Sequence, residues 1–298
     1  MTRHLLDIAS LSVEELRHII HLSSSQEVVS EKPLANKGVA LIFEKPSNRT
    51  RHSMEMAVVA LGGHPVYTRG EEVGFDTRES VEDIARIMAG YHGVLAARVF
   101  SHSVVERMAA VSSVPVVNML SDMAHPLQAL ADVITMEECA GPIASLTVAW
   151  IGDYNNVARS LGEAVCKLGG TFALGCPDGY NATAQEIARL QSFGGVVRQS
   201  TDPVEAIAGA HVVHTDTWIS MGQEEESAAR RVIFAPYCVD ETLMAHAAPN
   251  AKFMHCMPAH RGEEVSAAVF DGSASVVIQQ GHHRLTAARG ALAWVMGK

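Results

Sequence analysis

The fold is decided by the stretch VALIFEKPSNRTRHSMEMAVVALGG, residues 39–63. Its apolar run at 39–43 predicts a buried strand, and a polar turn follows. From Asn48, or the residue after it, to Leu61 the apolar residues recur at helical spacing. The Gly-Gly pair at 62–63 supplies a stop signal for that helix. Strand, turn and helix in this order are typical of a parallel α/β unit.

The same rhythm continues along the chain, because short apolar runs alternate with helix-length segments. An opening helix is predicted after Ser12, which forms a capping-box signal with Glu15. Further strands are predicted at 94–100, 115–119, 146–152, 171–176, 195–197, 211–217, 252–258 and 275–279. This pattern predicts an α/β fold whose sheets are mainly parallel and flanked by helices, with functional residues at the carboxyl ends of strands. A break at 137–147 predicts two domains.

Composition excludes several classes of protein. The chain has 298 residues, 48% of them hydrophobic, which suffices for two domains with their own cores. Its formal charge of −10 argues against a nucleic-acid partner or an anionic membrane surface. Five cysteines without a CxxC pair favour a reducing compartment, and no secretory signal or membrane-spanning run is present, so a cytoplasmic location is expected.

The turn Ser47-Asn48-Arg49-Thr50-Arg51 predicts an anion site. Free N–H groups at a helix start, two hydroxyls and guanidinium groups can hold a phosphate from several directions. The alternative is a helix cap with surface arginines.

Two further segments favour the anion site. Arg98 follows an apolar run, so its side chain should project at the end of a strand. His125 and Gln128 open another helix, where an imidazole and an amide can donate to a carbonyl oxygen during acyl transfer. Taken singly, each of these residues could equally be structural.

Four separated motifs give the chain a specific resemblance. They are FEKPSNRTR at 43–51, HPLQALAD at 125–132, DTWISMGQE at 216–224 and HCMPAHRGEEV at 255–265. In this order, over nearly the whole chain, they resemble the ornithine carbamoyltransferases. The resemblance implies an active site in the cleft between two domains, no metal or organic cofactor, a homotrimer or a multiple of trimers, and a place in arginine biosynthesis.

The resemblance also divides the chain and assigns roles to its residues. It implies a carbamoyl-phosphate-binding domain at 1–137, joined by a C-terminal helix at about 284–298, and an ornithine-binding domain at 138–283. The residues implied to bind carbamoyl phosphate are Ser47, Asn48, Arg49, Thr50, Arg98, His125, Gln128, Cys256, Met257 and Arg284. Those implied to bind ornithine are Asn156, Asp216, Ser220 and Met221. A direct part in catalysis is implied for Arg49, Arg98, His125, Gln128 and Cys256.

Several of these residues also have a structural interpretation. Asn156 lies in an Asx-rich turn of the kind that caps helices. Met221 could fill a gap in a loop. Arg284 could be an exposed arginine at the start of a helix, and Trp218 is expected to pack rather than to react.

The chain departs from the family pattern at a few positions. Asn48 stands where Thr is usual and Met257 where Leu is usual, and 279–283 lacks the usual acidic-Glu-Asn sequence. Gly74 occupies the place of a Gln or His that reaches carbamoyl phosphate in a neighbouring subunit. Arg78 could replace that contact or could be a solvated loop charge.

The expected chemistry is direct attack of a neutral amine on the carbamoyl carbon. Cys256 follows His255, but no separate acid that would orient the histidine is visible, so no acyl-enzyme is expected. FEKP and HCMP favour ornithine over aspartate as acceptor, while acetylornithine and putrescine stay as alternatives. A non-catalytic protein that kept a carbamoyl-phosphate site is the alternative of a different class.

Overall fold

The computed structural model describes residues 2–219 and 224–298, the side chain of Glu224 excepted. It forms two compact units. Unit 1 comprises Met1–Ala131 and His282–Lys298, and unit 2 comprises Asp132–Gly281.

Unit 1 is built on a four-stranded parallel sheet. Its strands are β1 (Gly38–Phe43), β2 (His64–Arg69), β3 (Val94–Arg98) and β4 (Val116–Leu120). They lie in the order β2-β1-β3-β4. Its helices are α1 (Val13–Ser24), α2 (Gln26–Glu31), α3 (Asn48–Ala60), α4 (Gly70–Val73), α5 (Val81–Ala89), α6 (His102–Val111), the first part of α7 (Pro126–Cys139) and most of α14 (Val277–Val295). The predicted strand, turn and helix at 39–63 are confirmed as β1 and α3.

The edge strand β2 was not predicted from the sequence. Its segment HPVYTR contains Pro65, which lacks a backbone N–H and argues against a central strand. In the sheet β2 pairs only with β1, so the missing donor is tolerated at the edge. No residue of β2 is buried, whereas Val39–Phe43 of β1 is buried throughout. Apolar periodicity therefore identified the central strand and missed its neighbour.

Unit 2 is built on a five-stranded parallel sheet. Its strands are β5 (Thr147–Ile151), β6 (Thr171–Gly175), β7 (Val196–Ser200), β8 (Val212–Thr215) and β9 (Lys252–His255). They lie in the order β7-β6-β5-β8-β9. The helices wholly within this unit are α8 (Asn156–Lys167), α9 (Ala184–Gln191), α10 (Pro203–Ile207), α11 (Ser227–Phe234), α12 (Glu241–Met244) and α13 (Ala267–Phe270). Two parallel sheets flanked by helices confirm the predicted fold class.

The predicted strand at 275–279 is wrong. Only Ser275 pairs with a strand, as an isolated bridge to Phe253, and helix α14 begins at Val277. Val277 is buried while the adjacent Ile278 is 60% exposed, which is the pattern of a helix with one covered face. A short apolar run does not distinguish a strand from the first turn of a helix. The last helix consequently begins earlier than the predicted start near 284.

Parallel topology gathers loop residues at the carboxyl ends of neighbouring strands. In unit 1 these ends belong to β1, β3 and β4, and in unit 2 to β5, β8 and β9. Most residues of these strands are buried, so the sheets are rigid supports for the loops that follow them. Within the described ranges, no helix is long and apolar enough to cross a bilayer.

Candidate active site

The loop after β1 is a capped helix start. Ser47 is the N-cap of α3, and its hydroxyl accepts from the Thr50 backbone N–H at 3.3 Å. The same hydroxyl donates to Thr50 Oγ1 at 3.1 Å. Thr50 is buried, whereas Asn48 is exposed and Arg49 is half-buried. The cap interpretation and the anion-site interpretation are thus compatible, because the cap orders the turn that presents these side chains.

Two buried arginines converge on the Thr50 hydroxyl oxygen. Arg98, at the end of β3, lies 3.5 Å away through Nη1, and Arg284, on α14, lies 3.3 Å away through Nη2. Arg284 also donates to the Gln128 side-chain oxygen and lies 3.2 Å from His125 Nε2. All five side chains belong to unit 1 and are at least 94% buried. They form a cationic cluster.

The protonation state of His125 reflects this cluster. Burial lowers the pKa of His125 well below its usual value, and the positive charges of Arg284 and Arg98 lower it further. A guanidinium carries only donors, so His125 Nε2 must accept from Arg284. His125 is therefore a neutral imidazole in a positive field, and an anion bound there would offset the repulsion between the two guanidinium groups.

The structure decides between the two interpretations of Arg284 and places Lys45 beside the cluster. Arg284 is only 6% exposed and lies in the second turn of α14, so it is not an exposed arginine at a helix start. Lys45, which the sequence analysis did not single out, is half-buried beside the cluster. Burial and the Arg98 charge lower the pKa of Lys45, although Asp122 and Glu44 oppose them. Its position inside the FEKPSNRTR motif was the available signal.

In unit 2, Asp216 stands at the centre of a second cluster, directly after β8. Its Oδ1 accepts from Cys256 Sγ at 2.9 Å and from the Thr217 backbone N–H at 2.8 Å. Its Oδ2 accepts from Asn155 Nδ2 at 2.9 Å. Strands β5, β8 and β9 are neighbours, so their ends bring Asn155, Asp216 and Cys256 together. The result is a half-buried carboxylate suited to a cationic ligand.

Asn155, the neighbour of the predicted ornithine-binding residue Asn156, contacts Asp216. Asn155 caps α8, accepting from the backbone of Val157 at 2.9 Å and Ala158 at 3.1 Å through its oxygen. Its amide nitrogen stays available for Asp216. Asn156 is the half-buried first residue of α8.

The DTWISM motif is described only in part. Ser220 and Met221 lie outside the described residues. Trp218 is 4% exposed and its ring lies 6.1 Å from that of Phe234, in agreement with a packing role.

An acid that orients His255 was missed in the sequence. Glu264 Oε1 lies 3.1 Å from His255 Nε2, and His255 Nδ1 accepts from the Met257 backbone N–H at 2.8 Å. Both ring nitrogens therefore have partners of their own, and the thiol of Cys256 donates to Asp216. The expectation that no acid orients His255 was therefore wrong. The GEEV end of the HCMPAHRGEEV motif was the available signal.

One group among the described residues has metal-ligand geometry. The donor atoms of Asp216, His255 and Cys256 lie within 4.8 Å of one another. Because the carboxylate already accepts from Cys256 and both nitrogens of His255 have partners, a metal ion would have to replace existing hydrogen bonds.

Two departures from the family pattern have a local explanation. Met257 packs against α14 where Gly281 leaves room, since a Cβ on Gly281 would lie 3.2 Å from Met257 Cε. Gly74 has φ +60, and a Cβ there would lie 2.8 Å from Arg78 Cγ. Arg78 itself donates to the Glu72 backbone carbonyl at 2.9 Å. Its guanidinium is thus folded onto its own loop.

Fold and clusters together define an α/β protein with a buried cationic cluster in one unit and a cluster around a carboxylate in the other. Residues 3–138 match the family model described as aspartate/ornithine carbamoyltransferase, carbamoyl-P binding domain. Residues 144–295 match the model described as aspartate/ornithine carbamoyltransferase, Asp/Orn binding domain. The chain belongs to the aspartate/ornithine carbamoyltransferase family.

Relatives named ornithine carbamoyltransferase match over full length. That of Rhizobium meliloti (strain 1021) is 42% identical over 302 residues, covering 100% of this chain and 99% of the relative. That of Hyperthermus butylicus is 44% identical, covering 99% and 97%. The solved ornithine carbamoyltransferase of Pyrococcus furiosus superposes with a TM-score of 0.95 at 41% identity, covering 99% of this chain and 97% of that one.

Proposed function

We propose that the protein is an ornithine carbamoyltransferase, which transfers the carbamoyl group of carbamoyl phosphate to the δ-amine of L-ornithine. The products are L-citrulline and phosphate, and citrulline serves arginine biosynthesis. The observation that carries the proposal is the convergence of the buried Arg98 and Arg284 on Thr50, with a neutral His125 beside them. Full-length relatives of that name support it.

Carbamoyl phosphate binds first in this proposal. Its phosphate dianion lies on the start of α3, where the Ser47 to Thr50 turn and Arg98 supply hydrogen-bond donors and positive charge. Arg49, His125 and Gln128 hold the carbamoyl end, and Arg284 braces the last two through direct contacts. Cys256 and the Met257 main chain come beside the reacting carbon.

Ornithine then binds through its α-ammonium to Asp216, with Asn156, Ser220 and Met221 completing the site. Its neutral δ-amine attacks the carbamoyl carbon, so a C–N bond forms and the C–O bond to phosphate breaks. The donors that face the carbamoyl oxygen stabilise the charge that grows on it, and the amine proton passes to solvent or to the leaving phosphate. The reaction uses no metal or organic cofactor.

A panel of acceptors tests the proposal. We expect citrulline from carbamoyl phosphate and ornithine, and much slower product formation with acetylornithine, putrescine or aspartate. The Asp216→Asn variant, which keeps the side-chain shape and removes the charge, should raise the KM for ornithine. Arg49→Ala should abolish turnover in a folded protein. Tight binding of carbamoyl phosphate without product from any acceptor would instead support a non-catalytic binding protein.

Assembly and location are part of the proposal. We infer a homotrimer or a multiple of trimers, which the family resemblance supports. We also infer a cytoplasmic location, which is supported by five cysteines that are all free thiols. Light scattering coupled to size-exclusion chromatography should give a mass that is a multiple of three chains. A monomer that turns over ornithine would contradict the assembly and leave the activity intact.

A further inference from the structure

The turn that carries Cys256 is held by its backbone amides on both sides. The N–H of His255 donates to Gln280 Oε1 at 2.9 Å, and the N–H of Met257 donates to His255 Nδ1 at 2.8 Å. Met257 has φ +57, a left-handed conformation that is unfavourable for a side chain of its size. The Met257 bond to His255 therefore holds the backbone in a conformation that it would otherwise tend to leave.

The hydrogen bonds assign one tautomer to His255. A backbone N–H can only donate, so His255 Nδ1 must carry a lone pair and the ring proton must lie on Nε2. Nε2 faces Glu264 Oε1 at 3.1 Å, and that oxygen also accepts from the His260 backbone N–H at 2.5 Å. His255 and Glu264 both have a relative exposure of 0%.

The charge state of Glu264 agrees with this assignment. Burial raises the pKa of Glu264, but the hydrogen bonds from His255 and from the His260 backbone outweigh it, and the pKa falls below its usual value. A buried carboxylate thus accepts from a neutral imidazole. The imidazole in turn accepts from the backbone one residue past Cys256.

We propose that Glu264 and His255 are positioning residues for carbamoyl transfer, acting through the turn at Cys256 and Met257. Glu264 selects the Nε2–H tautomer of His255, and only that tautomer can accept from the Met257 N–H while donating to the carboxylate. The turn so held keeps Cys256 Sγ at 2.9 Å from Asp216 and aims the Met257 main chain. This role rests on the proposed function, because the turn is where the amine and the carbamoyl group would meet.

Two substitutions of His255 separate positioning from packing. In His255→Asn the side-chain oxygen can take the place of Nδ1 and accept from Met257, while the contact with Glu264 is lost. In His255→Gln the amide can reach toward Glu264, but the acceptor for Met257 is lost. We expect His255→Asn to keep kcat within about threefold, and His255→Gln to lower it by up to about a hundredfold, the scale of a misplaced reacting group.

Stability should follow the opposite order from activity. His255→Asn leaves the buried Glu264 carboxylate with fewer donors, so it should unfold at a lower denaturant concentration than His255→Gln. The affinity for carbamoyl phosphate, which rests mainly on the unit 1 cluster, should change by less than about twofold in either variant. Parallel losses of activity and stability would reduce the pair to a structural role and overturn the proposal.

A double-mutant cycle tests the coupling between the two residues. Glu264→Gln should lower kcat by roughly tenfold in the wild-type background, because its amide can donate as well as accept and no longer selects one tautomer. In the His255→Asn background the same change should have almost no further effect on kcat. An equal loss in both backgrounds would overturn the proposal.

The nitrogen chemical shifts of His255 provide a readout that does not depend on turnover. In the wild type they should report a protonated Nε2 and an unprotonated Nδ1, and in Glu264→Gln a mixture of tautomers. A wild type that carbamoylates no acceptor would contradict the proposed function, whereas an Nδ1–H tautomer in an active wild type would contradict only the positioning role. If the wild type forms no product and also carries the Nδ1–H tautomer, both proposals are contradicted.

Discussion

Arg230 should prove costly to remove, and the cost should depend on pH. It is 2% exposed, donates through Nε to the Trp218 carbonyl at 2.6 Å and pairs with the Asp153 carboxylate. Its guanidinium also lies 4.9 Å from the ring centre of Tyr180 and 5.0 Å from that of Phe234. It thereby ties the chain just after Asp216 to the loop that follows β5. The perturbation is Arg230→Met, which keeps most of the apolar stem.

The loss of folding free energy can be worked out from the groups that Arg230→Met leaves without a partner. Breaking a buried ion pair costs about 3–5 kcal/mol, and the Asp153 side chain retains 16% exposure, so we take about 3 kcal/mol. The Trp218 carbonyl loses its donor, which adds about 1 kcal/mol. The free energy of unfolding should therefore fall by about 4 kcal/mol at about pH 8, where an unpaired carboxylate is charged.

The pH dependence follows from Asp153. Burial raises its pKa above the usual value even though Arg230 lowers it. Without Arg230 the pKa of Asp153 rises further. A carboxyl group whose pKa is higher in the folded state destabilises the fold as pH rises through that folded pKa, and has no such effect below the unfolded pKa. The loss caused by Arg230→Met should thus shrink toward about pH 4.

Urea-induced unfolding measures this effect, followed by tryptophan fluorescence, since Trp150 and Trp218 lie in unit 2. Wild type, Arg230→Met and the double variant Arg230→Met/Asp153→Asn are compared at both pH values. The double variant should recover about 2 kcal/mol at the higher pH, because no buried charge is left unpaired. A loss that is the same at both pH values, and that Asp153→Asn does not reduce, would refute the reasoning.

Three further predictions concern the two sites. Because His125 is neutral, His125→Gln should retain more activity than His125→Ala, whose kcat should fall by about 10²- to 10³-fold; equal losses in a steady-state assay would contradict a hydrogen-bonding role. Thr50→Val should weaken carbamoyl phosphate binding by about 1–3 kcal/mol in calorimetry, with the ornithine KM little changed, since it removes the hydroxyl on which two guanidinium groups converge. Gly74→Gln, which restores the amide usual in the family, should destabilise the protein by about 1–2 kcal/mol because of the left-handed backbone; Arg78→Ala should relieve only the steric part of that cost in thermal unfolding.

Much of the fold could be predicted from the sequence, because buried parallel strands are continuous apolar runs. The central strands β1, β3 and β5 are such runs, and each coincided with a predicted strand. The edge strand β2 and the start of α14 could not be predicted in this way. No residue of β2 is buried, and a helix beginning with two apolar residues has the same local pattern as a strand.

The candidate site could likewise be predicted only in part from the sequence. The residue types at the ends of β1 and β3 indicated an anion-binding site, and Asp216 after β8 indicated an acid. Both could be predicted because loops at strand ends carry their chemistry in short contiguous motifs. Which atoms meet was decided only by the tertiary structure. Arg284 reaches Thr50 across 234 positions of sequence, and Asn155 reaches Asp216 across 61.

The sequence by itself determined the class of fold, the family resemblance and the chemical character of the two clusters, since all three depend on local patterns. The tertiary structure alone decided the edge strand, the burial of Arg284, the neutral state of His125 and the role of Glu264 as partner of His255. These depend on distances between segments that are remote in sequence, and on removal from water, which no local pattern specifies.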